Sequence, residues 1–318
     1  MNLSSIPELL ERARAGEARA VARLITLVEN GSRHLPEIAA ALAPSAGAAM
    51  VVGLTGSPGV GKSTTTNELV RSLRAAGKRV GVLAVDPSSP YTGGAILGDR
   101  VRMQDHATDP GVYIRSMSSR GHLGGLAAAT PAAVRVLAGV GCDVVLVETV
   151  GVGQAEVEIA SLADTTLVLL APGMGDAIQA VKAGILEIAD VFVINKADRD
   201  GADATYRDIQ GMIALGGPDR GPGTWRPRVV KAVAAKAEGI EDIVATVEEH
   251  RAWLAESGQL TVRRRARAAA EIEALALGKL RARFADLPGT SLADLADHVV
   301  AGSLDPYAAA EKLLDELV

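Results

Sequence analysis

The stretch GLTGSPGVGKSTTTNELV runs from Gly53 to Val70 and decides the fold. Gly56, Gly61, Lys62 and Ser63 satisfy G-x-x-x-x-G-K-[ST], and the motif sits between a short β-like apolar run and a helical pattern, the context it needs. Glycines let successive backbone N–H groups turn inward onto phosphate oxygens, and the helix that follows adds its positive end. Gly56, Ser57, Pro58, Gly59, Val60, Gly61, Lys62, Ser63 and Thr64 are therefore expected to line a phosphate cradle. Lys62 is expected to be solvated until phosphate arrives and then to bridge the β and γ oxygens, with the Ser63 hydroxyl on Mg²⁺. The chemistry is that of a nucleoside triphosphate site.

Working outward, short β-rich runs alternate with helical patterns at 50–54, 79–86, 112–116, 143–149, 165–172, 190–196 and 228–233. Near-continuous apolar strands separated by helices predict an α/β fold, a P-loop NTPase with a mostly parallel central sheet covered on both faces. Residues 1–44 read as a helical extension: Ser5 and Glu8 have capping-box spacing, and Val21, Leu24, Ile25 and Val28 repeat at helical intervals. The nucleotide-binding domain is expected over 45–257. Residues 258–318 read as a helical arm that mediates dimerisation, with a stripe of Ile272, Ala276, Leu280 and Phe284 and an Asp305-Pro306 helix start.

The chain of 318 residues is 48% hydrophobic, enough for a large core, and its net charge of -5 offers no general footprint for nucleic acid. The run RRRAR at 263–267 reads as the wet face of a helix. Cys142 is the only cysteine, so an internal disulfide is impossible, which fits a reducing cytoplasm. No run approaches membrane-spanning length, and a cytoplasmic protein without membrane or nucleic-acid partners is expected.

The base should be chosen by NKAD at 195–198, at the end of a later strand. Asp198 can accept from guanine N1–H and the 2-amino group, whereas adenine offers neither donor and would leave a desolvated carboxylate unpaired. Asn195 would reach the N7/O6 edge and the Lys196 stem would cover the base. The S-A-K-type loop against guanine falls in KAVAAKAEGIEDI (231–243), where Val233 replaces the expected small hydroxyl residue and leaves backbone contact from Ala234 or Ala235. In VLVETVGVGQ (145–154), Glu148 replaces the Asp of D-x-x-G; it would hold Mg²⁺ through a water while Gly151 offers its N–H to the γ-phosphate. Asp86 and Asp99 are further candidates for Mg²⁺ and a phosphate-linked switch, or else a turn residue before Pro87 and a helix cap. Val152 stands where Ras-like GTPases carry the water-orienting Gln, and Gln154 lies two residues on, so unaided hydrolysis should be slow.

GSPGVGKST, LAVDPSSPYTGGAILGDRVRM, RSMSSRGHLGGLA, VLVETVGVGQAE, PGMGDAIQAVKAGILEIAD and INKAD together resemble the methylmalonyl-CoA mutase-associated G proteins, the MeaB/ArgK family of the SIMIBI class. The resemblance is strongest over 50–200. It implies a homodimeric GTPase chaperone, working with GTP, GDP and Mg²⁺, that gates adenosylcobalamin delivery to a B12-dependent mutase (methylmalonyl-CoA mutase) and protects it. It implies catalytic roles for Lys62, Asp86, Glu148 and Gly151, and an Mg²⁺ site of Ser63, Asp86, Asp99 and Glu148. PGMGDAIQAVKAG, with Asp176 and Lys182, resembles a mobile loop coupling nucleotide state to the partner, and reads equally as a glycine-rich helix start. The chain carries no D-x-H-x-x-G motif, so cobalamin would be held by the mutase. A P-loop kinase is disfavoured by NKAD, and a nickel-insertion GTPase by the lack of a His- or Cys-rich tract.

Overall fold

A computed structural model describes residues 5–45, 47–86, 104–106, 108–118, 129–149, 155–173, 186–215, 223–285 and 292–315, with Asp86 placed by its backbone alone. By its contacts the chain divides into two compact units, Met1–Arg263 and Arg264–Val318.

The first unit is built on a sheet whose seven described strands are all parallel, in the order β3-β2-β4-β1-β5-β6-β7. They are β1 (Met50–Thr55), β2 (Val80–Asp86), β3 (Val112–Ser118), β4 (Val144–Thr149), β5 (Thr165–Leu170), β6 (Val191–Ile194) and β7 (Arg228–Lys231). The fold is the expected P-loop NTPase architecture. Central strands β1, β4, β5 and β6 are buried along their whole length, because helices cover both faces and no strand position is left for water.

Side-chain parity sends alternate residues to opposite faces. Val52 and Leu54 of β1, Leu146 of β4 and Leu167 of β5 share a core with Leu69 and Val70 of α4 (Lys62–Ala75) and Ile243 of α8 (Ile240–Glu256). On the other face, Val51, Leu83 and Val145 pack with α5 (Thr130–Gly139), α6 (Ala155–Leu162) and the N-terminal helices. These are α1 (Ile6–Arg14), α2 (Ala18–Glu29) and α3 (Leu35–Leu42). Val21, Leu24, Ile25 and Val28 of α2 are buried as their spacing predicts, and the Glu8 N–H donates to Ser5 Oγ at 3.4 Å. Arg115 of edge strand β3 donates to Glu29 and Thr26 of α2, so the extension closes over that edge. Val168, Leu170 and Phe192 on the same side pack against Ile209 of α7 (Ala202–Leu215).

At the N-terminal edge of the sheet a recurring device fixes register. Asp143, Asp164 and Asp190 each stand one residue before a strand and accept a backbone N–H at or just ahead of the neighbouring strand, from Arg79 immediately before β2 (2.7 Å), Val51 of β1 (3.0 Å) and Thr166 of β5 (2.9 Å) respectively. Asp190 does more. Its carboxylate, 7% exposed, takes a two-pronged contact from Arg263 at 2.9 and 2.8 Å, and Arg263 also donates to Asp164 O. Behind it His250 is fully buried, 3.4 Å from Asp190, with Nδ1 2.8 Å from Thr165 Oγ1 and its ring against Trp225 and Trp253. Burial pulls the His250 pKa down to about 4, so the ring is neutral at pH 7.

Arg263 lies early in α9 (Gln259–Ala285), which continues into the second unit. There α10 (Leu292–Val300) and α11 (Pro306–Asp315) pack on one another, burying Leu295 and Ala309. Asp305 Oδ1 accepts the N–H groups of Tyr307 and Ala308, the helix start read from the sequence.

Arg263→Met should destabilise the first unit by about 2–4 kcal/mol, because it strands a buried carboxylate; the value falls below that of a fully enclosed pair since Arg263 is itself a third exposed. Urea denaturation checks this, and a loss under about 0.5 kcal/mol would show the contact to be surface decoration.

Candidate functional site

β1 is flanked by β4 on one side and β5 on the other, so the crevice beyond its C-terminal end is where such sheets bind ligands. The chain from Gly56 to Gly61 wraps that end and passes into α4. Gly56, Gly59 and Gly61 all have positive φ, and two of them admit nothing larger for a further reason. A Cβ on Gly56 would lie 2.3 Å from Leu169 O, and one on Gly61 would lie 2.3 Å from Asn195 Nδ2.

Glu148, near the end of β4, points to the α4 face and is 2% exposed. Its two oxygens accept from Ser63 Oγ at 2.7 Å and Thr66 Oγ1 at 2.8 Å, one turn apart on α4. A carboxylate held by two hydroxyls beneath a helix N-terminus is an array of hard oxygen donors. Lys62 departs from the expectation that it would be solvated. Only 7% exposed, its ammonium donates to Gly56 O at 2.6 Å and Ser57 O at 3.2 Å, because carbonyls of the turned loop point where a four-carbon stem can reach them.

The loops that carry Lys196 and Ala234 are stitched to the same glycine-rich turn by Asn195, 2% exposed. Its Nδ2 donates to Val60 O at 2.8 Å, and its Oδ1 accepts from the N–H groups of Lys196 (2.8 Å) and Ala234 (3.0 Å). Ala234 thus contributes through its backbone, toward Asn195, while Ala235 is exposed. Lys196 adopts a left-handed φ of 57° and donates to Gly59 O at 2.6 Å. Asp198 is exposed and pairs with Lys236 Nζ at 2.9 Å; that bond holds its carboxyl below the usual range.

Ser57, Pro58, Gly59, Val60 and Thr64 lie in the loop and first turn, with Val60 buried and Thr64 exposed. Asp86 ends β2, in register with Ser118 of β3. Asp99, Gly151, Val152, Gln154, Asp176 and Lys182 lie outside the described residues. Among the described residues no group of three His, Cys, Asp or Glu comes together as a metal cluster. Thr66 and Lys236 are site contacts that motif reading misses. The signal for Thr66 was its place three residues after Ser63, on the helix face toward a buried strand-end acid.

A family model described as methylmalonyl Co-A mutase-associated GTPase MeaB matches residues 21–288. The chain belongs to the MeaB family. It is 48% identical to a Pyrococcus abyssi protein provisionally named a GTPase, over 98% of this chain and 97% of that one. It is 38% identical to the Escherichia coli GTPase ArgK over 82% of this chain and 80% of that protein. The crystal structure of a LAO/AO transport system kinase superposes with a TM-score of 0.74 at 27% identity, covering 100% of this chain and 99% of that one. This MeaB-family chain therefore shares its fold with a solved structure along its full length, and the resemblance carried by the quoted motifs holds.

Lys62→Ala should abolish nucleotide hydrolysis, and it should also cost about 1–2 kcal/mol in urea denaturation because Gly56 O and Ser57 O lose their donor. A variant that turns over normally would remove the cradle assignment.

Proposed function

We propose that this MeaB-family protein binds and hydrolyses GTP and acts as chaperone of an adenosylcobalamin-dependent acyl-CoA mutase of the methylmalonyl-CoA mutase type. The observation that carries the reading is Asn195, which fastens the phosphate loop and both base-side loops into one unit beside Asp198. The family description supplies the mutase as partner class.

In this reading Lys62 exchanges its loop carbonyls for the β and γ oxygens of GTP, and Asp198 accepts from guanine N1–H and the 2-amino group. Ser63 and Glu148, with Asp86 and Asp99 as further carboxylates, suit Mg²⁺, which when bound neutralises charge on the transferring phosphoryl group. Glu148 reaches further than the usual Asp, so it receives Ser63 and Thr66 directly and holds the first turn of α4 over the strand end. Gly151 offers its N–H to the γ-phosphate. Val152 fixes no water, so hydrolysis by the protein alone is slow and a reorganised or inserted group on complex formation accelerates it. Asp176 and Lys182 form the coupling loop, cobalamin stays with the mutase, and the protein works in the cytoplasm; among the described residues no helix is long and apolar enough to cross a membrane.

Single-turnover hydrolysis with and without a candidate mutase tests the role. Stimulation of about 10³-fold is of the size seen when GTPases receive a missing group, and Lys182→Ala should blunt it. Fast turnover alone, an indifferent mutase, or ATP competing as well as GTP would overturn the reading, the last in favour of a kinase.

We infer also a homodimer through the second unit. Ile272, Leu275, Leu277 and Leu280 of α9 are 67%, 57%, 46% and 38% exposed, more apolar surface than one helix usually shows to water. Ile272→Glu with Leu275→Glu should yield monomers by light scattering without loss of helix content, and a variant that remains dimeric would place the interface elsewhere.

A further inference from the structure

The carboxylate that selects the base is already in use within the chain. Asp198 Oδ2 lies 2.9 Å from Lys236 Nζ, and both side chains are more than a third exposed. Lys236 is held close by backbone geometry. Ala197 N–H donates to Ala232 O at 3.0 Å and Ala234 N–H to Asn195 Oδ1, two bonds that join the loop carrying Asp198 to the loop carrying Lys236. The second loop is a closed turn: Ala234–Lys236 form one 3-10 turn, Ala237 takes a left-handed φ of 58°, and Val233 pairs with Glu238 across it. These bonds hold the backbone at 236 beside the loop of Asp198, within the reach of a lysine side chain.

We propose that Lys236 is a specificity-site competitor: its ammonium occupies the Asp198 carboxylate that guanine must engage, and so lowers the affinity of the site for guanine nucleotides. This rests on Asp198 as the reader of guanine. A carboxylate can accept several hydrogen bonds, but guanine N1–H and the 2-amino group approach side by side and together need both oxygens of Asp198. The ammonium on Oδ2 therefore yields when the base enters. Binding is an exchange of partners, and the apparent dissociation constant exceeds the intrinsic one by the reciprocal of the unpaired fraction of Asp198, which is one plus the ratio of paired to unpaired. Exposed ion pairs are weak, so the factor is modest, about two- to six-fold. It also shrinks with salt, because the competing pair is screened while neutral guanine donors are not. The consequence is a site whose affinity is held down by a residue that touches no phosphate.

The test measures fluorescent GDP binding by the full chain at low salt and at about 1 M salt. Lys236→Met keeps the apolar stem and removes the charge. It should tighten GDP binding two- to six-fold at low salt, the advantage should fade at high salt, and Lys236→Arg should remain close to the parent protein. In an Asp198→Asn background, read with xanthosine diphosphate, Lys236→Met should give no gain, because the competed charge is gone. Unchanged or weaker GDP binding by Lys236→Met overturns the proposal, as does a gain that persists undiminished at high salt or in the Asp198→Asn background. The base-reading assumption is judged separately: Asp198→Asn should prefer xanthosine to guanosine diphosphate, and if guanosine keeps its margin Asp198 does not read the base, whatever Lys236→Met does.

Discussion

One buried amide holds the site together. Asn195 bonds to Val60 in the phosphate loop, to Lys196 in its own turn and to Ala234 in the loop after β7, three segments far apart in sequence. An amide at 2% exposure has no water to fall back on, so each lost partner would cost the desolvation penalty of a buried polar group, about 1–3 kcal/mol. Glycine at 61 is the counterpart of this contact. Any side chain there would overlap Asn195 Nδ2, so the last glycine of the phosphate loop is required by the base-side loop as much as by its own left-handed φ. The glycine-rich loop and the loops beside Asp198 are thus positioned by the same atoms.

The opposite edge of the sheet is governed by carboxylates. Asp143, Asp164 and Asp190 cap neighbouring strands, and Asp190 gathers Arg263 and His250 into the same cluster. The four-residue strand β6 runs from this cluster to Asn195, with Val191 at one end and Ile194 at the other. A strand so short, buried on both faces and tied at both ends, leaves the base-side loop little freedom to drift in register. The neutral His250 is consistent with that design: burial disfavours its charged form, and a ring without a proton to gain leaves Arg263 as the cation that answers Asp190.

The glycine-rich loop, the parallel strands around it and the N-terminal helices are legible because each rests on local pattern: fixed glycine spacing, apolar runs, and period-3.6 stripes such as Val21, Leu24, Ile25 and Val28; the order of the strands in the sheet, set by long-range pairing, is not. The MeaB resemblance was legible for the same reason, since several motifs occur in order. What the sequence hid were partnerships between distant residues. Nothing local announces that Arg263, within an apparently solvent-facing basic run, is the partner of Asp190, or that Lys236 reaches Asp198. Lys62 was misjudged as solvated because its motif role concerns phosphate, while its hydrogen bonds to Gly56 O and Ser57 O follow from how the loop turns its carbonyls. Val233 leaves backbone contact from Ala234 or Ala235 as the sequence reading, and what the sequence does not show is that the Ala234 N–H is taken by Asn195 Oδ1, a bond that any residue but proline would supply.

These intramolecular contacts change how affinity should be understood at this site. Lys62 on loop carbonyls, Ser63 and Thr66 on Glu148, and Lys236 on Asp198 each satisfy a group that a nucleotide and its cation would otherwise find unpaired. Binding then returns only the difference between the new partner and the old one, as hydrogen bonding in water does in general. The differences are unequal. Under the proposed function Lys62 would trade neutral carbonyls for anionic phosphate, a charge-assisted gain, whereas Asp198 would trade an ammonium for neutral N–H donors and gain little. If the site is the proposed GTP site, phosphate contacts should therefore carry the bulk of the affinity, and base contacts should act chiefly by penalising a base that leaves Asp198 desolvated without either partner.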